Sequence, residues 1–152
     1  MRSAAFGRAA LVIAVVLAFD QLTKHTVAAG IRPGQEHKFL PGIQLVHVRN
    51  TGVAFSLFSG GGVLVPVFTL AALAVLVGYF VLRPDRQGLW LAAGLLVGGA
   101  LGNLIDRVAT SAVVDFIKLP LWPAFNIADM AITFGLLVLL WVLEGARRDE
   151  HR

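Results

Sequence analysis

Three aspartates, Asp106, Asp115 and Asp129, lie within 24 residues and are bracketed by long uncharged apolar runs. Carboxylates at or in a bilayer are costly, so a cluster of them indicates a functional site. Two carboxylates in one poorly hydrated place share a proton, because their pKa values are pushed apart. Acid–base attack of water on a peptide bond needs that arrangement. The residues alone leave open which two of the three form the pair.

Two of these aspartates belong to a repeated pattern, Asn-x-x-Asp. Asn103 precedes Asp106 by three residues, and the pair shares a helical face. Asn126 precedes Asp129 by the same interval. An amide beside a carboxylate can donate a hydrogen bond that orients the carboxylate and favours its charged form. Helix capping also explains the second pair, but it does not explain Asp106, which lies at a helix C-terminus where the dipole disfavours it.

The composition is that of a membrane protein. Of the 152 residues, 57% are hydrophobic and 14% are charged, whereas a soluble domain has about 25% charged residues. The length suits a single domain, 1–152. The absence of cysteine excludes a disulfide and a thiolate nucleophile. The net charge of +4 comes from basic residues near the ends of apolar runs, where lipid headgroups and not nucleic acid are the expected partner.

Four apolar segments predict four transmembrane helices, since a span needs about 20 residues. With their flanks they cover about 9–28, 63–82, 88–107 and 124–143. The first apolar segment could instead be the core of a signal peptide, with Arg2 and Arg8 as its basic N-terminal region. However, only further apolar segments follow it. Basic residues crowd the short segments on the side of the two termini, which predicts that both termini are cytoplasmic. The predicted fold class is an all-α membrane protein.

Residues 31–62 predict a small extracytoplasmic β-sheet between the first and second helices. Pro33-Gly34 and Pro41-Gly42 are turn signals. Ile43–Val48 alternates and is rich in branched residues, which is typical of a strand. A second short strand is expected at Val53–Phe58.

Alternating spans bring the acids of the outer side to one membrane level. Asp20, Asp106, Asp115 and Asp129 all lie at outer ends of predicted spans or in the loop that joins two such ends. Lys24 lies four residues after Asp20 and can pair with it on one helical face. Such a pair either anchors the end of the helix or tunes a nearby active site.

Glycines recur every four residues in the third predicted span, at Gly94, Gly98 and Gly102. They leave a smooth stripe along which another helix can approach closely. The stripe therefore predicts tight packing at the polar end of this helix.

Other chemistries fit the sequence less well. No G-x-S-x-G is present, and the four histidines form no H-E-x-x-H, so a zinc protease is not expected. No metal or other cofactor is expected. A proton or ion relay is an alternative, because membrane aspartates often serve that purpose, but four spans without an inverted repeat do not favour a transporter. A non-catalytic assembly factor is a third hypothesis.

Five segments resemble the signature blocks of the lipoprotein signal peptidase family, the bacterial signal peptidase II. They are DQLTK (20–24), NTGVAFS (50–56), GGALGNLIDR (98–107), VVDF (113–116) and FNIAD (125–129). Each block alone is a weak signal, whereas their order on a four-span chain of this length is specific. The resemblance covers nearly all of residues 11–143.

The resemblance implies an intramembrane aspartyl protease in the bacterial cytoplasmic membrane. Such an enzyme removes the signal peptide of diacylglyceryl-modified prolipoproteins just before the lipidated cysteine, and a monomer is expected. Asp115 and Asp129 would be the catalytic pair, with the proton belonging to the pair as a unit. Further block residues would support the pair or contact the substrate: Asp20, Lys24, Asn50, Asn103, Asp106, Arg107 and Asn126. The extracytoplasmic sheet would hold the substrate against the site.

Overall fold

A computed structural model describes residues 2–52 and 64–150. Within them, four α-helices and three β-strands follow in the order α-β-β-α-α-β-α. The helices are α1 (Arg2–Gly30), α2 (Leu64–Leu82), α3 (Leu89–Thr110) and α4 (Ile127–Glu150). Within the described residues, α1, α3 and α4 (as far as Gly145) are long and apolar enough to cross a membrane. The apolar stretch found in α2 is shorter, Leu70–Leu82, so a fourth span over 63–82 stays a prediction.

The helices expose apolar side chains and bury polar ones. Leu11, Phe19 and Leu22 lie near one face of α1 and are 65%, 61% and 67% exposed. In the same helix Asp20 and Lys24 are 0% and 4% exposed. This inverted pattern is expected of a helix that has lipid outside and charged groups facing its neighbours.

The glycine stripe of α3 lies against α1. A Cβ atom on Gly98 would lie 3.0 Å from the side chain of Val16. One on Gly102 would lie 2.6 Å from the carboxylate of Asp20, and one on Gly94 would also contact α1, at 2.7 Å. These distances confirm that the stripe allows a close helix approach. They also show that α1 and α3 run in the same direction, because the contacts advance together along both helices.

The sheet has three antiparallel strands, with β2 in the centre. They are β1 (Glu36–Leu40), β2 (Ile43–Asn50) and β3 (Val113–Lys118). Gly34 and Gly42 make the two predicted turns at φ 83° and 79°, in the left-handed region that glycine adopts at little cost. The strand predicted at Ile43–Val48 is part of β2.

The sheet is not confined to residues 31–62, because its third strand follows α3. β3 pairs with β2 in a register that includes Val48↔Asp115. The sequence identifies 113–117 only as a short apolar run around a carboxylate. Its valines and isoleucine suit a pleated surface, and β2 offers the edge with which it pairs. The predicted strand Val53–Phe58 lies outside the described residues.

A short return segment joins β3 to α4. The backbone N–H of Phe125 donates to the carbonyl of Ile117 at 3.0 Å, and the N–H of Ile117 donates to the carbonyl of Phe125 at 2.8 Å. The helix α4 then begins at Ile127, after the predicted start of 124–143. The pairing with β3 brings the first turn of α4 beside Asp115.

Candidate active site

Asp115 lies within β3 and is 2% exposed. Its Oδ1 accepts a hydrogen bond from Asn126 Nδ2 at 2.7 Å, and its Oδ2 accepts one from Asn50 Nδ2 at 2.9 Å. Burial is the main cause that raises the pKa of Asp115 to about 6, and the nearby charge of Asp129 raises this pKa too. The two amide donors oppose the rise, because they favour the charged carboxylate.

Asp129 lies in the first turn of α4 and is half-buried. Its Oδ1 accepts a hydrogen bond from Asn103 Nδ2 at 2.8 Å, and its Oδ2 accepts one from the backbone N–H of Asn126 at 3.2 Å. The backbone N–H of Asp129 in turn donates to Asn126 Oδ1 at 2.9 Å. This reciprocal pattern is a capping box, so the helix-capping interpretation of Asn126 and Asp129 is confirmed.

Asn126 connects the two carboxylates. Because its side-chain oxygen accepts the capping hydrogen bond, its NH₂ group faces away from the helix. That group donates to Asp115 and also to Asn103 Oδ1, the latter at 3.2 Å. Asn126 is fully buried, so one amide both starts α4 and orients the carboxylate on β3.

Lys24 carries the positive charge of the cluster and is buried. Its Nζ lies 2.7 Å from Asp20 Oδ2 and 2.9 Å from Asp106 Oδ2. The predicted Asp20–Lys24 pair is therefore confirmed. Lys24 also donates to Asn103 Oδ1 at 3.0 Å, and this donation leaves the NH₂ group of Asn103 for Asp129.

Asp20 joins the C-terminal half of α1 to the start of α4. Its Oδ1 accepts a hydrogen bond from the backbone N–H of Ala128 at 2.9 Å, and it is fully buried. An N–H in the first turn of a helix has no partner inside that helix, so an acceptor there stabilises the helix start. Asp20 thus fixes the turn that carries Asp129.

The Asn-x-x-Asp spacing favours a hydrogen bond from the Asn103 amide to Asp106, but this bond is not among those of the described residues. Asn103 donates across to Asp129 instead, because Lys24 occupies its oxygen. Asp106 accepts hydrogen bonds from Gln21 Nε2 at 3.0 Å and from the backbone N–H of Val114 at 3.3 Å. Its pairing with Lys24 offsets the unfavourable helix dipole.

Sequence reasoning missed Gln21, which is half-buried beside this cluster. Its Nε2 donates to Asp20 at 3.2 Å, to the carbonyl of Gly102 at 3.3 Å and to Asp106. The available signal was its position in DQLTK, directly after Asp20.

Asn50 and Arg107 lie at the margin of the cluster. Asn50 is exposed at the end of β2, and its Oδ1 accepts the backbone N–H of Gly52 at 2.9 Å. Because the side-chain oxygen of Asn50 accepts this turn hydrogen bond, its NH₂ group is available to donate to Asp115. Arg107 is half-buried, and its Nη1 donates to the carbonyl of Asn103 at 3.3 Å, so it does not contact either carboxylate of the pair within the described hydrogen bonds.

The arrangement suits proton transfer. Two carboxylates from different elements are oriented by amide donors, and one has a pKa of about 6, close to the neutral range in which a general acid or base works best. Within residues 2–52 and 64–150, no group of three or more His, Asp or Glu could hold a metal ion. In the same part of the chain every buried side-chain N or O atom has a hydrogen-bond partner.

Comparisons with known proteins agree on one family. A sequence model described as signal peptidase (SPase) II matches residues 12–144. A lipoprotein signal peptidase of Moorella thermoacetica is 44% identical over 135 residues, which cover 88% of this chain and 90% of that protein. One of Pelotomaculum thermopropionicum is 42% identical and covers 88% of this chain and 89% of the relative. A bacterial membrane enzyme solved by the in meso method at 1.9 Å resolution superposes with a TM-score of 0.82 at 35% identity, over 90% of this chain and 92% of that one.

Proposed function

The chain belongs to the signal peptidase II family, and we propose that it is an intramembrane aspartyl endopeptidase with Asp115 and Asp129 as its catalytic pair. The substrate is a prolipoprotein with a diacylglyceryl-modified cysteine, and the cleaved bond is the one just before that cysteine. The enzyme is a multi-pass protein of the bacterial cytoplasmic membrane and acts as a monomer. Both termini are cytoplasmic and the site faces the extracytoplasmic side.

One observation carries the assignment of the pair. Asn126 donates its side-chain amide to Asp115 and its backbone N–H to Asp129. A single residue thus sets two carboxylates from a strand and a helix beside each other. Burial and, to a smaller extent, the charge of Asp129 raise the pKa of Asp115, and both effects favour a single proton on the pair over double ionisation.

The reaction needs one proton shared by the pair. The charged carboxylate takes a proton from a water molecule while the water oxygen forms a bond to the scissile carbonyl carbon. The protonated carboxyl donates its proton to the carbonyl oxygen, which gives a neutral tetrahedral diol. The diol then loses an O–H proton to a carboxylate, the C–N bond breaks, and the leaving nitrogen receives a proton from the pair. The titration belongs to the pair, so no single aspartate is assigned the proton.

The supporting residues act through this pair. Asn50, Asn103 and Asn126 donate amide hydrogen bonds that hold the carboxylates in position. Lys24 balances Asp20 and Asp106, and its positive charge opposes the rise in the pKa of Asp115. Arg107, at the margin of the site, either supports the pair through the backbone of Asn103 or contacts the substrate.

Substitution of each catalytic carboxyl tests the proposal. Asp115→Asn and Asp129→Asn enzymes, purified and incubated with a lipidated precursor peptide, should lose cleavage by about 10³-fold or more, while their helical circular dichroism stays unchanged. Asp85→Asn is the matched control, since Asp85 is exposed in the turn between α2 and α3. Cleavage by either variant at the rate of the unmodified enzyme would refute the pair. Proton flux in liposomes that both substitutions abolish, without peptide cleavage, would support a relay instead.

A further inference from the structure

The outer tip of the sheet forms a groove that the catalytic proposal does not use. Residues 38–44 of the β1–β2 hairpin and residues 118–121 after β3 enclose about 680 Å³. None of the residues that line it belongs to the cluster around Asp115. The groove is therefore a separate surface feature.

Large apolar side chains project around this groove. Phe39, Leu40 and Trp122 are 62%, 55% and 64% exposed, and Leu121 is fully exposed. Leu121 also has a φ of 61°, a left-handed conformation that is strained for leucine. A strained turn that presents a complete leucine side chain to water is unfavourable, so these residues indicate an apolar partner.

Two lysines lie at the same tip. Lys38 on β1 is opposite Gln44 on β2, and Gln44 is opposite Lys118 on β3. Lys38 and Lys118 thus lie on either side of Gln44 in one row across the three strands, and their backbones are roughly 10 Å apart. Lys118 has Glu36 at 3.6 Å, but both side chains are more than 40% exposed, so this pair contributes little. Both ammonium groups can therefore contact an anion in the groove.

We propose that this tip inserts into the outer leaflet and binds the headgroup of an anionic phospholipid. Phe39, Leu40, Leu121 and Trp122 enter the acyl-chain boundary, and Lys38 and Lys118 hold the phosphate. Trp122 lies only five residues before α4, which is one of the helices apolar enough to cross the membrane. The tip is thus tethered at the membrane surface, where indole rings and lysines are favoured.

The combination of charge and apolar surface selects lipid over a protein partner. An apolar fringe beside two cations matches the boundary between acyl chains and anionic headgroups. Insertion would hold the sheet, and with it Asp115 on β3, at a constant depth relative to the outer leaflet.

Fluorescence quenching of Trp122 tests the proposal without using catalytic activity. The full chain, with Trp90→Phe and Trp141→Phe to leave Trp122 as the sole tryptophan of three, is placed one copy per nanodisc. The acyl chains of either phosphatidylglycerol or phosphatidylcholine are brominated at equal mole fraction. We expect both lipids to quench Trp122, and brominated phosphatidylglycerol to quench it more strongly.

Two sets of variants separate insertion from headgroup binding. Lys38→Gln with Lys118→Gln should abolish the preference for phosphatidylglycerol while Trp122 stays quenched by both lipids. Leu121→Ser with Phe39→Ser should shift the emission to longer wavelength and reduce quenching by both lipids. Arg32→Gln removes an exposed cation near the end of α1, outside the groove, and should keep the preference.

Three outcomes would overturn the proposal. Trp122 emission that responds to neither brominated lipid would exclude insertion. Equal quenching by the two lipids in the parent protein would exclude a site for the anionic headgroup. A blue-shifted, lipid-insensitive emission that appears only with two copies per disc would assign the tip to contact between chains.

Discussion

The carboxylate of Asp106 accepts a hydrogen bond from the backbone N–H of Val114 at 3.3 Å, one residue before Asp115. This contact ties the C-terminal end of α3 to the strand that carries the candidate catalytic residue. Asp106 is anchored in turn by Lys24 at 2.9 Å. We therefore propose that Asp106, the third acid of the sequence cluster, positions Asp115.

Removal of the Asp106 carboxylate should lower catalysis without removing a reacting group. In Asp106→Ala the N–H of Val114 loses the carboxylate acceptor, and a displacement of β3 by about 1 Å can cost about 10²-fold in rate. Asp106→Asn keeps an oxygen that can accept from Val114 and should recover part of the loss. Single-turnover cleavage of a lipidated peptide measures both. Cleavage by Asp106→Ala at the parent rate would contradict the positioning role.

Asn126→Ser separates the two uses of the Asn126 amide. Serine is also a good N-cap, so α4 should keep its stability, but the donor to Asp115 is lost and cleavage should fall by about 10²-fold. Asn126→Ala removes both functions and should lose about 1 kcal/mol of unfolding free energy in addition. Thermal unfolding in micelles and peptide cleavage provide the two measurements. If Asn126→Ser cleaves normally, the hydrogen bond to Asp115 is not needed.

Gly102→Ala should destabilise the protein and impair cleavage. The added methyl group would lie 2.6 Å from Asp20 Oδ2, and a comparable overpacking costs about 1–3 kcal/mol. Gly78→Ala in α2 is the matched control, because an added Cβ there meets no atom within 4 Å. It should be neutral or stabilise the helix by up to about 1 kcal/mol. Equal effects of the two substitutions would show that the contact with α1 is not tight.

The raised pKa of Asp115 predicts a pH dependence of stability. Its pKa is about 6 in the folded protein and 3.8 ordinarily, so the folded state binds more protons between these values. The unfolding free energy should therefore fall, relative to Asp115→Asn, as pH rises from about 4 to about 6, and level off above that pH; the total fall is on the order of 1–3 kcal/mol. Denaturant unfolding in micelles between about pH 4 and pH 8 measures this. The difference in unfolding free energy between the parent protein and Asp85→Asn should not change with pH in this way, because both proteins keep Asp115. If the difference between the parent protein and Asp115→Asn is also constant with pH, the raised pKa is contradicted.

Local and periodic features were predictable from the sequence. Hydropathy identifies the long apolar helices, and four-residue spacing identifies both the Asp20–Lys24 pair and the glycine stripe of α3. The turns at Gly34 and Gly42 follow from the conformational freedom of glycine. These features depend on neighbours within one or two helical turns, or on a period that only one secondary structure satisfies.

The sequence by itself determined that this is a membrane protein of the signal peptidase II family with several acids beside its apolar segments. Only the tertiary structure decided which groups those acids contact. Asn103 donates to Asp129 and not to its helical neighbour Asp106, because Lys24 from another helix occupies its oxygen. β3 joined a sheet whose other strands lie more than 60 residues earlier. Spacing brings several partners within reach, whereas the choice among them depends on the direction of each donor and on close packing between elements distant in sequence.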